Sequence, residues 1–143
     1  LYTFNNPRNY PYIVDENTEI KPRNICGAAK LLLEIEILSK FDSNNFTIIT
    51  PRIFKVYGPR QCGKFGGTII NRWINSLIEN EDEPITVYGK EGMFDFIYSE
   101  EIAYGLVILG TIKNTWVVNI GRGKSHKISD ILDILKDFSQ ELI

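Results

Sequence analysis

Runs of helix formers alternate with short β-branched runs along this chain, and that alternation constrains its fold more than any other feature. From Cys26 to Lys40, CGAAKLLLEIEILSK is built of strong helix formers and is apolar around most of its circumference. It predicts a helix that is buried or faces a partner. FTIIT, Phe46 to Thr50, predicts a buried parallel strand that Pro51 stops. Gly58, Pro59, Gly63, Gly66 and Gly67 mark a loop, and Thr68 to Glu79 then carries helical spacing through Ile69, Ile70, Trp73, Ile74 and Leu77. The segments ITVYG and FDFIYS predict two strands, the second leading into the helix EEIAYGLVILG with Ser99 as its N-cap. TWVVNIG predicts a strand ended by Gly121, and residues 128–143 an amphipathic helix. Strand and helix taking turns in this way predict an α/β layer architecture.

Composition narrows what the chain does. With 43% hydrophobic and 24% charged residues it predicts a soluble globule, and its 143 residues suit one compact domain. Sixteen basic and eighteen acidic residues leave a net charge of -2, so no broad positive field is available for nucleic acid or an anionic membrane. Two cysteines, Cys26 and Cys62, do not make a disulfide framework, and no signal segment is visible, so a reducing cytoplasm is the expected setting. Residues 1–25 have no sustained period and carry Pro7, Pro11 and Pro22, which predicts an irregular active-site segment. Leu1 at the start and Ile143 inside a helical run read as ends cut from something longer.

The most specific stretches are PRNICGAAKLLLE, TIITPRIFKVYGPRQ, ITVYGKEGMFDFIYSEEIA and VVNIGRGKS, in that order. Together they resemble the C-terminal half of the extended short-chain dehydrogenase/reductases, the NAD-dependent epimerase/dehydratase family acting on sugar nucleotides. The likeness covers nearly the whole chain. It implies an α/β fold made of the C-terminal part of a Rossmann-like doubly wound parallel sheet plus a small substrate-binding lobe. Residues 1–58 would end the Rossmann-like domain, and residues 59–143 would form the lobe with interleaved Rossmann elements. It also implies a nucleoside-diphosphate sugar as substrate, a 4-keto sugar intermediate, NAD as cofactor, and a homodimer joined through the helix that holds Lys30.

Site residues follow from the same resemblance. The family's first block reads Tyr, three residues, Lys, after an acidic residue and a proline. Glu19, Pro22 and Lys30 match it, while Cys26 stands in the tyrosine position. Lys30 would hold the cofactor ribose and Cys26 would fill the general-base place, but its sulfur stops roughly 3–4 Å short of a tyrosine oxygen. On the residues alone, Cys26 reads as a small packed hydrophobe. In the second block Arg52, Val56, Tyr57, Gly58 and Pro59 match, with Lys55 where the family has Asn. Ile53 and Phe54 would lie along the nicotinamide and Lys55 would face the substrate. In the third block Thr86 and Tyr88 would line the substrate, and Phe94 stands where the family's Arg-Asp-Phe has its phosphate-binding arginine. Asn119, Gly121 and Gly123 match the fourth.

The glycine-rich dinucleotide fingerprint has no match in the chain, so this chain alone is expected to be inactive and to bind NAD weakly. A non-catalytic, sugar-nucleotide-binding relic is the second reading. A third comes from GPRQCGKF, residues 58–65, which fits a phosphate-binding loop until Phe65 takes the place of the magnesium-binding hydroxyl. His126, the single histidine, has no ligand cluster at metal spacing and reads as a solvated residue near a helix start, so no metal is expected.

Overall fold

A computed structural model describes residues 12–22, 24–41, 45–61, 68–78, 87, 89–114 and 116–141. Its elements run α1 (Ile25–Lys40), β1 (Ile49–Ile53), β2 (Lys55–Tyr57), α2 (Ile69–Ile78), β3 (Met93–Tyr98), α3 (Ser99–Leu109), β4 (Trp116–Ile120), β5 (Ser125–Lys127) and α4 (Ile128–Glu141). The chain is α/β, as its alternation predicts. It divides into two units, one of residues 1–54 and 101–120, the other of residues 55–100 and 121–143.

In the first unit β1 and β4 pair in parallel, with Thr50 opposite Val117 and Arg52 opposite Asn119. The expectation that Pro51 stops this strand is overturned, since β1 starts at Ile49 and runs through the proline to Ile53. The reason lies in the ladder. Bonds at its two ends, from the Trp116 N–H to the Ile48 carbonyl and from the Phe54 N–H to the Ile120 carbonyl, fall on even-numbered residues of this segment. Alternation then turns Pro51 away from β4, where its missing N–H breaks no bond of this pair. Alternation also gives the pair two faces. Arg52 bonds Glu34 of α1 on one face, and Ile49 and Pro51 border an open groove with Leu106 and Leu109 of α3 on the other.

Helix α1 is capped by Asn24, whose side-chain oxygen accepts the Gly27 N–H at 2.8 Å. Only Gly27 in this helix is buried. Leu32, Leu33, Ile35 and Ile37 are exposed, so the apolar circumference is one that the described residues do not cover.

In the second unit β3 is central, parallel to β2 and antiparallel to β5. Phe96 and Ile97, which point to opposite faces, are both buried, as are Ile70, Trp73 and Ile128. Neither three-residue strand was expected. His126 is therefore not a free residue ahead of a helix: it sits within β5 opposite Phe94 and is half-buried. Ser99 begins α3 instead of preceding it. Thr68 accepts the Asn71 N–H ahead of α2, and Asn71 donates to the Gly58 carbonyl at 3.0 Å, pinning the helix start to the end of β2. Of the strand expected at residues 85–89 only residues 87 and 89 are described, and neither is in a strand; residues 62–65 of GPRQCGKF lie outside the described residues.

Candidate functional site

In the first unit Ile53 and Phe54 lie at the carboxyl end of β1, the end at which open parallel sheets receive ligands. Ile53 closes β1, and Phe54 follows with its N–H on the Ile120 carbonyl at 3.0 Å. Both are half-buried. Helix α1 packs through Glu34, which meets Arg52 one residue before the strand ends. Lys30 lies one turn, about 5–6 Å, ahead of Glu34 on the helix, and Cys26 one turn further.

Cys26 and Lys30 share a helical face and are both exposed. The reading of Cys26 as a packed hydrophobe is thus corrected: its thiol is free and open to solvent. It sits in the first turn, next to Gly27, the buried residue of this helix. Lys30 has no ion-pair partner among the described residues.

The sheet face toward α1 also holds polar atoms that the sequence did not flag. Thr50 Oγ1 and both side-chain polar atoms of Asn119 are buried without a hydrogen-bond partner among the described residues. The Asn119 backbone N–H donates to Glu16 Oε1 at 2.7 Å, and Arg52 donates to the Glu16 carbonyl. The irregular segment before α1 is thereby tied to the carboxyl ends of both strands.

In the second unit Lys55 opens β2, paired with Phe96, and its ammonium stands 5.6 Å from the centre of the Phe94 ring. Burial lowers its pKa from the ordinary lysine value, and the charge of Arg72 adds to the effect. Tyr57 and Tyr98, opposite each other in the ladder, pack with ring centres 5.5 Å apart and planes tilted by 54°. Asp95 points to the other face. Its two oxygens accept the N–H groups of Arg122 and Gly123 at 2.9 and 2.8 Å, fixing the turn after β4. The Phe-Asp-Phe alternation was the available signal for this clamp. Thr86 and Tyr88 lie outside the described residues.

The profile of the NAD dependent epimerase/dehydratase family matches residues 5–121. The chain belongs to this family. A Methanocaldococcus jannaschii protein named "Putative UDP-glucose 4-epimerase" is 30% identical over 125 residues, which make up 86% of this chain and 40% of that protein. The UDP-N-acetylglucosamine 4-epimerase of Methanobrevibacter ruminantium, solved with UDP-N-acetylmuramic acid, superposes with a TM-score of 0.83 at 26% identity, covering 95% of this chain and 43% of that one. The Thermus thermophilus UDP-glucose 4-epimerase, solved with NAD, gives a TM-score of 0.80 at 20% identity and covers 97% of this chain and 45% of that one, a likeness of fold. The chain thus spans well under half the length of these epimerases.

For the family's cofactor the residues present fit one end. Lys30 offers an exposed ammonium on α1, one turn ahead of Glu34, a donor of the kind that hydroxyl oxygens accept. The glycine turn that cradles a dinucleotide's pyrophosphate does not occur in the sequence.

Proposed function

We propose that this chain supplies the active-site helix and the substrate lobe of a nucleoside-diphosphate-sugar epimerase or dehydratase that works through a 4-keto sugar. The observation that carries the reading is Lys30 one turn ahead of Glu34, the residue that Arg52 grips one position before the end of β1, within a chain of this family. Residues 59–143 serve as the substrate lobe with interleaved cofactor-domain elements, and residues 1–58 as the end of the cofactor domain. NAD, when bound, supplies a reversible hydride acceptor. Lys30 holds its ribose, and Ile53 and Phe54 give the nicotinamide an apolar wall that keeps water from it. Cys26 occupies the place of the group that takes the proton from the sugar hydroxyl. Its short reach leaves that step unsupported, so the chain binds substrate without turning it over.

Lys55, Thr86 and Tyr88 line the sugar nucleotide in this reading, Lys55 as a point charge toward phosphate. The exposed apolar side chains of α1 support pairing with a second copy through that helix. An exposed free thiol suits a reducing cytoplasm. Among the described residues no helix is long and apolar enough to cross a membrane.

A thermal-shift titration of the chain with UDP-glucose, GDP-mannose and NAD tests the proposal. The expected result is a rise in Tm with a sugar nucleotide, little change with NAD, and no turnover. A chain indifferent to every sugar nucleotide would leave only inherited fold.

A further inference from the structure

Arg52 and Asn119 stand opposite each other, each one residue before its strand ends, and both bond to Glu16. The bonds joining β4 to β1 use the Trp116 N–H and the Ile120 carbonyl, so alternation turns the Asn119 N–H to the outer edge of β4. There the Glu16 carboxylate accepts it at 2.7 Å, a charge-assisted bond, while the Glu16 carbonyl accepts from Arg52 Nη1 at 3.3 Å. The turn around Glu16 is braced from within. The Thr18 hydroxyl donates to Asp15 Oδ1 at 2.7 Å and accepts the Asp15 N–H at 2.9 Å, and the Asn17 N–H donates to the same carboxylate oxygen at 3.1 Å.

Arg52 is the hub of these contacts, with Nε and Nη2 on Glu34 and Nη1 on Glu16. Helix α1 is thereby tied twice to the carboxyl end of the parallel pair. One tie is direct, at Glu34. The other lies ahead of the first turn, through the segment that leads from Glu16 to the Asn24 cap. Cys26 and Lys30 fall between the two. A helix held at Glu34 alone leaves its first turns free to swing, and the second tie removes that freedom. We propose that Glu16 is a positioning residue, which fixes the first two turns of α1 and so places the Lys30 ammonium for a cofactor. It touches no ligand itself. Assigning a cofactor to Lys30 rests on the function proposed above; the tie made by Glu16 does not.

A mutant cycle on the whole chain tests this, with NAD association followed by ligand-detected NMR, which registers weak binding. It compares the unaltered chain with Glu16→Ala, Glu16→Gln, Lys30→Met and Glu16→Ala/Lys30→Met. Glu16→Ala should weaken NAD by about tenfold, and Glu16→Gln should keep most of the affinity because its amide oxygen still accepts the Asn119 N–H. Once Lys30 is methionine, Glu16→Ala should cost less than about twofold, since the group it positions is gone. Amide exchange at Asn119 and Gly27 should quicken in Glu16→Ala and not in Glu16→Gln, while the Thr18 amide, bonded to Asp15 within the turn, stays as it was. A Glu16→Ala loss equally large in the Lys30→Met background reports general loosening and overturns the positioning role, as does NAD affinity that ignores Glu16 but needs Lys30. NAD binding that ignores Lys30 overturns the cofactor reading of that residue and the positioning role with it. With no NAD association at all the cofactor reading falls; faster exchange at Gly27 in Glu16→Ala then still supports the tie, and unchanged exchange overturns it.

Discussion

Arg52 of β1 grips Glu34 of α1 with two donors, Nε on one carboxylate oxygen at 3.0 Å and Nη2 on the other at 2.5 Å, and the two side chains are only 9% and 14% exposed. A forked pair at that depth is costly to break from one side, because the partner is left charged and largely dry. Glu34→Ala should lower stability by about 3 kcal/mol in urea unfolding. Glu36→Ala, which removes the exposed pair of Glu36 with Lys40, should cost no more than about 0.5 kcal/mol. Arg52→Lys should fall close to Glu34→Ala, because an ammonium cannot span both oxygens. Equal costs for Glu34→Ala and Glu36→Ala would contradict this account of how α1 is held.

Asp95 fixes the turn after β4 through charge-assisted bonds to two backbone N–H groups. Asp95→Ala should destabilise the chain by about 2 kcal/mol, and Asp95→Asn by roughly half as much, since the amide keeps one accepting oxygen. Amide hydrogen exchange at Arg122 and Gly123 reads the effect locally: both should exchange faster in the variants. Protection unchanged at those two amides would assign the stability loss to another cause.

These contacts mark where reading the sequence succeeds and where it stops. Helices α1, α2, α3 and α4 lie within a residue or two of their apolar periods, because a helix is specified by neighbours three and four residues away. Strands β2 and β5 have three residues each, too few for a period, and exist because β3 offers both its edges. Pro51 misleads for a related reason: a proline is compatible with a strand on one edge and not the other, and the edge is decided by β4, some 65 residues downstream in sequence. Lys30, Ile53 and Phe54 are named as site residues from short motifs alone, and what the elements add is their place on α1 and at the end of β1. The contact of Lys55 with Phe94 was not, since it depends on the register of two strands about forty residues apart.

Gly58 is buried against the start of α3. A Cβ placed there would fall 2.1 Å from Ser99 Oγ and 2.8 Å from Ser99 Cβ, and the second distance cannot be relieved by rotating the hydroxyl. Gly58→Ala should therefore cost about 1–3 kcal/mol, the usual range for forcing an extra methyl into a packed site. Adding Ser99→Gly removes both clashing atoms and should recover much of that cost, less a few tenths for glycine at the helix start. A double variant no more stable than Gly58→Ala would show that the glycine is required for its backbone and not for the close approach.

The pH dependence of Lys55 follows from its environment and has a definite sign. Burial, and then the Arg72 charge, hold its folded-state pKa below the ordinary 10.5 that it regains on unfolding. Between those two values the unfolded chain binds more protons than the folded one, so this residue's contribution to stability rises with pH across that window. Below the folded pKa both states are protonated and the penalty for the buried charge is present in full. Lys55→Met should accordingly be more stable than the unaltered chain at pH 7, with the difference shrinking as pH approaches 10.5. Urea unfolding of both proteins at pH 7, 8.5 and 10 measures it. A variant that is less stable at pH 7 would mean that the ring of Phe94 and an unseen partner stabilise the ammonium by more than its burial costs.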